Sequence, residues 1–88
     1  MPIRTGTIEG LERVARSGLQ PDVIYVDADH GFEGVSADLQ AIQRLFPQAA
    51  IVGDDWNWEG VRRAATAFSQ ATGRKLEALE AGWCIHAP

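Results

Sequence analysis

The chain of 88 residues is long enough for one small domain, which buries only a modest part of its surface. Hydrophobic residues make up 45% and charged residues 23%, so the composition is that of a folded protein rather than a disordered one. The net charge is −4 and no basic run exceeds two residues, which argues against nucleic acid and anionic membranes as partners.

Cys84 is the only cysteine in the sequence, so an internal disulfide is impossible. No apolar stretch is long enough for a signal peptide or a membrane span, and these features together favour a reducing, cytoplasmic location. No catalytic motif surrounds Cys84, which indicates a buried strand residue rather than a nucleophile.

The first half of the chain alternates helix and strand. Apolar residues at helical spacing predict a helix within residues 5–17, with Gly18 as its stop. The stretch from Asp22 to Asp27 holds four consecutive apolar residues and predicts a strand that is buried on both faces. A second helix ends before Pro47, and its inner face is marked by Val35, Leu39, Ile42 and Phe46.

The second half repeats this pattern. A short apolar run from Ala50 to Gly53 predicts another strand, and a third periodic segment predicts a helix that ends at Gly73. Residues 75–79 and 83–86 indicate two further strands joined by a turn of hairpin length, so the last strand should be antiparallel to its neighbour. The order α-β-α-β-α-β-β predicts a single α/β domain over residues 1–88.

Acidic residues follow both apolar strands at their carboxyl ends, where open parallel sheets bind their ligands. Asp27, Asp29 and His30 follow the first strand, and Asp54 and Asp55 follow the second. Carboxylate oxygens suit Mg²⁺ or Ca²⁺, and neighbouring strands lie about 5 Å apart, so these acids can converge on one ion. The competing interpretation is that Asp29 or Asp55 caps the following helix and that the other acids are solvated.

Other polar and aromatic residues lie beside these acids. Trp56 and Trp58 are candidates for stacking on a substrate, although large aromatic residues at a helix start also serve in packing. His30 is a candidate second base or a loop residue that forms hydrogen bonds. Arg62 and Arg63 indicate a solvated helix face.

The handedness of the connections predicts an incomplete sheet covering. Parallel crossovers are right-handed, so helices that join strands advancing in one direction all lie on the same face. The first strand is nevertheless apolar on both sides, with Val23 and Tyr25 opposite Ile24 and Val26. We therefore expect an uncovered apolar face and an open strand edge that need a partner, either a second copy in a homodimer or a missing amino-terminal half.

Several strings in the chain resemble one enzyme family. Ile24 to His30 reads Ile-Tyr-Val-Asp-Ala-Asp-His, and Val52 to Trp56 reads Val-Gly-Asp-Asp-Trp; Phe32 to Val35, Asp38-Leu39 and Gly60 to Ala64 accompany them. Together they resemble the carboxyl half of class I S-adenosylmethionine-dependent methyltransferases, in the branch that acts on small molecules. The resemblance implies a partial Rossmann-like three-layer fold in which this chain supplies strands four to seven and the seventh is antiparallel.

The resemblance also implies roles for the acids. By analogy, Asp27, Asp54 and Asp55 would hold a divalent cation, and Asp29 would be the general base on a substrate hydroxyl, with His30 nearby. The reaction implied is methyl transfer from S-adenosylmethionine to the hydroxyl of a small molecule.

The chain departs from the family where the cofactor is held. Strands one to three and their glycine-rich loop have no counterpart, and no Gly-x-Gly turn follows a strand. Smaller departures are Ala28, Phe32 and the segment from Phe46 to Ala49. We therefore expect a truncated half that is inactive alone. A dimerising binding or assembly module that has lost the chemistry and an unrelated metal-dependent hydrolase are the alternatives.

Overall fold

The computed structural model of the protein describes residues 2–5, 8–26, 31–80 and 82–88. Strands and helices alternate up to a closing hairpin. In chain order the elements are β1 (Pro2–Thr5), α1 (Ile8–Arg16), β2 (Val23–Val26), α2 (Phe32–Leu45), β3 (Ala50–Asp54), α3 (Glu59–Thr72), β4 (Leu76–Ala78) and β5 (Gly82–Ile85).

The five strands form one mixed sheet in the order β1-β2-β3-β5-β4. β1, β2 and β3 are parallel neighbours, whereas β5 is antiparallel to both β3 and β4. The last strand therefore enters the sheet between two strands that precede it in the chain. This arrangement confirms the α/β class and the antiparallel last strand expected from the hairpin.

β1 was not predicted from the sequence, and it changes one expectation. It pairs in parallel with the whole of β2, with Ile3 opposite Ile24. The expectation of an open β2 edge is therefore wrong, because the protein's own amino-terminal segment occupies it. The four residues of β1 contain one large aliphatic side chain, that of Ile3. This pattern is too short to predict a strand.

The three helices lie on one face of the sheet, as the handedness of the crossovers requires. α2 packs against α1 on one side and α3 on the other. We call this side the covered face; Ile24, Ile51 and Ile85 lie on it and are fully buried. The opposite side, the open face, has no helix from the described part of the chain. The apolar side chains at its centre are only partly buried, and they belong to Val23, Tyr25, Ala50, Val52 and Cys84.

The prediction that β2 is buried on both faces is therefore confirmed on one face only. Ile24 and Val26 are buried against the helices, but the alternate residues Val23 and Tyr25 are half-buried. Both sides of β2 are apolar, as predicted, and the described part of the chain covers one of them.

Two glycines shape the elements around β3. Gly73 has φ 74° and ends α3, and its N–H donates to the carbonyl of Ser69 at 2.8 Å, which confirms the predicted stop. Gly53 lies against the indole of Trp83, and a Cβ at this position would be 2.4 Å from the ring. Because residue 53 has no side chain, Trp83 packs flat over β3 and is 1% exposed, as expected for a core residue.

Arg74 is a buried cation that no pattern in the sequence predicts. It is 5% exposed and donates to the Gln43 side chain at 2.9 Å, to the carbonyl of His86 at 3.0 Å and to the carbonyl of Ala49. Desolvation lowers the pKa of its guanidinium. Arg74 thereby joins the end of α2, the start of β3 and the segment after β5.

The longest helices have 14 residues, and within the described ranges none is both long enough and apolar enough to cross a membrane.

Candidate active site at the carboxyl edge of the sheet

β2 and β3 end side by side, and this edge carries the described part of the predicted site. Val26, the last residue of β2, is in register with Gly53 of β3. Asp54 ends β3 and Asp55 follows it, and both side chains are exposed. The other predicted residues, Asp27, Asp29 and His30, directly follow Val26 in the sequence but lie outside the described residues.

Asp54 is held from two sides. Its side chain lies on the open face, where the hydroxyl of Tyr25 donates a hydrogen bond to its Oδ2. Its backbone carbonyl accepts a hydrogen bond of 3.0 Å from the indole Nε1 of Trp83. The sheet and the core therefore both fix the position of this residue.

Asp55 occupies a special backbone position. Its φ is 62°, the left-handed region, which is uncommon for a residue with a side chain. Its carbonyl accepts the N–H of Trp58 at 3.0 Å and closes a turn. Arg62 of α3 donates through Nη1 to the carbonyls of Trp56 and Asn57, each at 3.0 Å.

Arg62 and Arg63 are both exposed, as the sequence predicted, but each also makes a specific contact. Arg62 holds the turn that carries Asp55, and the guanidinium of Arg63 lies 4.8 Å from the ring centroid of Phe32. Their description as a merely solvated face is therefore incomplete, because sequence spacing does not reveal contacts with a turn that precedes the helix.

The alternative in which Asp55 caps α3 is wrong. The capping position is Trp58, and α3 has no side-chain hydrogen bond at its cap. At the start of α2 the capping position is Gly31. The exposed carboxylate of Asp55 therefore has no helix-capping role in α3 to explain its presence.

The two predicted substrate-binding tryptophans differ in their surroundings. Trp58 is 54% exposed, whereas Trp56 is half-buried and packs partly against the core. Trp56 lines a shallow groove of about 480 Å³ together with Phe32, Arg62 and Arg63. Trp58 therefore exposes much of its ring at this edge, and Trp56 has a packing role.

The described residues contain two of the three predicted metal ligands. Within the described ranges, no three side chains of the types His, Cys, Asp and Glu lie close enough together to hold an ion. Asp54 and Asp55 are present and exposed, and the third predicted ligand, Asp27, is outside those ranges. Their carboxylate oxygens fit a hard divalent cation in chemical type.

A second group of polar residues lies on the open face, away from this edge. His86 Nε2 and Glu77 Oε1 are 2.9 Å apart, and Glu77 is in register with Cys84 on the neighbouring strand. Burial raises the pKa of the Cys84 thiol, and the charge of Glu77 raises it further. A raised thiol pKa opposes nucleophilic chemistry. Cys84 is a strand residue as predicted, but the prediction that it is buried is wrong, because it lies on the open face and is half-buried.

The sequence did not reveal the parts played by Tyr25 and Arg62 at this edge. In the sequence Tyr25 is one apolar residue of its strand, and its contact with Asp54 depends on the register between β2 and β3. No local pattern in the sequence signals this contact, because the two residues belong to different strands.

Comparisons with known proteins include a solved structure of similar fold. No protein-family model matches the sequence, and no curated protein matches it. The structure resembles that of CalS11, a TDP-rhamnose 3′-O-methyltransferase of calicheamicin biosynthesis, with a TM-score of 0.64 and 18% identity over 88% of this chain. The matched part is 36% of that enzyme's length. The protein therefore has a partial methyltransferase-like α/β fold.

Proposed function

We propose that the protein contributes the carboxyl half of an S-adenosylmethionine-dependent methyltransferase that acts on a hydroxyl of a small molecule. The observation that carries the proposal is the pair Asp54 and Asp55, held at the carboxyl end of β3 beside the end of β2 in a methyltransferase-like fold. Ligands of open parallel sheets bind at this edge. The similar structure belongs to an enzyme named for O-methyl transfer to a sugar nucleotide, which agrees with a small-molecule acceptor.

In this proposal some of the acids bind a cation and another acts as the general base. Asp54 and Asp55, together with Asp27, would hold a divalent cation, and Asp29, with His30 next to it in the sequence, would remove the proton of the substrate hydroxyl. The cation, when bound, lowers the pKa of the hydroxyl and so assists that proton transfer. Trp58, which is largely exposed, and Trp56 supply flat surfaces at which the substrate stacks.

In this proposal the cofactor-binding half is a further polypeptide segment that covers the open face. The three helices lie on the covered face, and the open face presents Val23, Tyr25 and Val52 only half-buried. The chain corresponds to about a third of the length of the similar enzyme. Amino-terminal strands that extend the sheet beyond β1, with helices on the open face, would complete a three-layer fold. The 88-residue chain alone is catalytically silent in this proposal.

The test has two arms. The 88-residue chain is titrated calorimetrically with S-adenosylhomocysteine in the presence of Mg²⁺, and no heat of binding is expected. The coding sequence upstream of Met1 is then read, and a glycine-rich strand-loop-helix segment is expected there; the chain joined to that segment should bind the cofactor product. Binding by the 88-residue chain alone contradicts the assignment as a half.

The cation is tested separately. Mg²⁺ or Ca²⁺ should raise the melting temperature of the chain, and the double variant Asp54→Ala with Asp55→Ala should lose this rise. The control removes two exposed acids elsewhere, Glu9→Ala with Glu80→Ala, and changes the net charge by the same amount. A rise that survives in the first variant removes Asp54 and Asp55 from the cation site.

A second candidate function is supported by the open face itself. An incompletely buried apolar sheet surface favours association, so in this second proposal the chain acts as a binding or assembly module that dimerises through Val23, Tyr25 and Val52. Size-exclusion chromatography with light scattering separates the two candidates. A wild-type dimer that becomes a monomer in Val52→Glu supports the module. A wild-type monomer whose mass is the same in Val52→Glu favours the half-enzyme.

A further inference from the structure

A groove runs along the solvent side of the helix layer, between α2 and α3. It has a volume of about 480 Å³, and we call it the helix groove. Gln40 of α2 and Ala67 and Ala71 of α3 line it and are exposed, so the groove is open to solvent. Its two ends on α2 are marked by Phe32 and Arg44.

The floor of the helix groove is apolar and well packed. Ala64 is 1% exposed and Phe68 is 8% exposed, and both line the groove from the side of the core. Ala67 and Ala71 lie about one turn apart on the same side of α3, and their small side chains leave the space above this floor open. The groove therefore offers an apolar surface to the body of a ligand, which would leave water on binding.

The charged residues beside this floor are all basic. Arg44 lies in the last turn of α2 and lines one end of the helix groove. At the other end Phe32 and Ala67 also line the shallow groove that contains Arg62 and Arg63. Among the described residues that line either groove there is no Asp or Glu, although the chain has 12 acidic residues and only 8 basic ones. This charge complements a negatively charged ligand.

The size of the helix groove fits a small molecule. Sites for small molecules have volumes of about 300–1,000 Å³ and are mostly apolar with a few polar groups, as this groove is. A second copy of the chain that met the same surface would bring the arginines of both copies into one interface, and like charges there oppose association. A small anionic molecule is therefore a better occupant than a second copy.

We propose that the helix groove binds a small organic acid with an elongated apolar body. Its carboxylate lies beside Arg44, and its body extends along Ala71 and Ala67 toward Phe32. The site is independent of the proposed methyl transfer. The last turn of α2 precedes the start of β3, whereas the candidate active site is at the end of β3, so Arg44 and the active site lie at opposite ends of that strand.

Straight-chain carboxylates are the probes, because they vary the length of the apolar body alone. Octanoate, decanoate and dodecanoate are titrated into the ¹⁵N-labelled chain below the concentrations at which micelles form. The shifted amide resonances should belong to α2 and α3. The affinity should rise about twofold to fourfold for each added methylene, since complete burial of one methylene corresponds to about fourfold.

Filling the helix groove tests its location. Ala67→Leu adds an apolar side chain at an exposed helix position, where leucine is a strong helix former. We expect its affinity for decanoate to fall about tenfold, since the new side chain displaces about two methylenes of the ligand. Ala37→Leu is the matched control and should keep the wild-type affinity, because Ala37 is exposed on α2 but does not line the groove. Melting temperatures show that both variants are folded.

The preference for an acid is tested at Arg44. Arg44→Gln should lower the affinity for decanoate about threefold, the effect of losing one exposed ion pair, and should leave the affinity for the neutral decanol unchanged. Arg16→Gln removes an exposed arginine from the last turn of α1 and is the control for the change in net charge.

Four outcomes would overturn the proposal. They are no binding of any acid by the wild-type chain, amide shifts that cluster on β2, β3 and β5 of the open face, equal losses in Ala67→Leu and Ala37→Leu, and an Arg44→Gln variant that binds decanoate as the wild type does or loses decanol equally. None of them bears on the proposed methyl transfer, whose test uses S-adenosylhomocysteine.

Discussion

The two faces of the sheet differ sharply although alternating residues of the same strands form them. On the covered face Ile24 and Ile51 are fully buried beneath the helix layer. On the open face their neighbours Val23 and Val52 are only half-buried. The chain thus completes one side of its core and leaves an equally apolar side incomplete. Apolar strand residues therefore indicate which surfaces are to be buried, but not whether the same chain buries them.

The largest expected effect on stability comes from removing the buried guanidinium of Arg74. Arg74→Ala removes three hydrogen bonds from a charged donor and leaves the carbonyls of Ala49 and His86 without it. We expect a loss of about 3 kcal/mol in the free energy of unfolding, since each buried acceptor left unsatisfied costs about 1–3 kcal/mol. Urea denaturation followed by tryptophan fluorescence measures it.

The neighbouring residue provides the control for Arg74. Lys75 is exposed, so Lys75→Ala should change the free energy of unfolding by less than about 0.5 kcal/mol. A similar, small effect in both variants would show that the hydrogen bonds of the buried Arg74 guanidinium do not stabilise the fold.

The next effect tests the packing of Trp83 on the covered face. Gly53→Ala places a Cβ where the indole now lies, so either Trp83 or β3 must move. We expect a loss of about 2 kcal/mol, within the range of about 1–3 kcal/mol for overpacked cores, and a changed near-ultraviolet circular dichroism spectrum. Gly31→Ala, which meets no atom within 4 Å, should leave that spectrum unchanged. An unchanged spectrum in Gly53→Ala contradicts the close approach.

A matched pair of changes on β2 compares the two faces directly. Val26 is on the covered face and Val23 on the open face, and both are replaced by alanine. Val26→Ala should cost about 2 kcal/mol because two buried methyl groups are lost and a cavity remains, whereas Val23→Ala should cost about 0.7 kcal/mol. Equal losses in urea denaturation would mean that the open face is as well buried as the covered one in solution.

The smallest effect is on the reactivity of the open face. Its half-buried Cys84 has a thiol pKa raised by burial and by Glu77, so at a given pH a smaller fraction is thiolate than in a free cysteine. Alkylation by iodoacetamide should be slower than for a cysteine-containing peptide at pH 8, and its rate should continue to rise at pH values where the peptide's rate has levelled off. Mass spectrometry from pH 7 to 10 measures both rates, and identical profiles contradict the prediction.

Much of this fold was predictable because local patterns repeat over many residues. Apolar residues at steps of three and four marked α2 and α3, and Gly73 ended α3 at the predicted place. The hairpin turn correctly predicted that β5 is antiparallel to β4. β1 was missed because its place depends on pairing with β2 rather than on its own four residues.

The site was less predictable because its contacts depend on tertiary register. The sequence placed Asp54 and Asp55 at a strand end, and the structure agrees. The hydrogen bond from Tyr25 and the contact of Arg62 with the turn join residues from different elements, so no local pattern reports them. The positions predicted for Asp27, Asp29 and His30 stay predictions because these residues lie outside the described ranges.

The place of β5 between β3 and β4 has a consequence for synthesis on the ribosome. β3 is made before α3 and the hairpin, so its edge toward β5 stays unpaired until the β4–β5 hairpin has emerged. An apolar strand with a free edge pairs readily with other chains. The growing chain is therefore most prone to aggregation while α3 is being made, and slowing translation between β3 and β5 should lower the yield of folded protein.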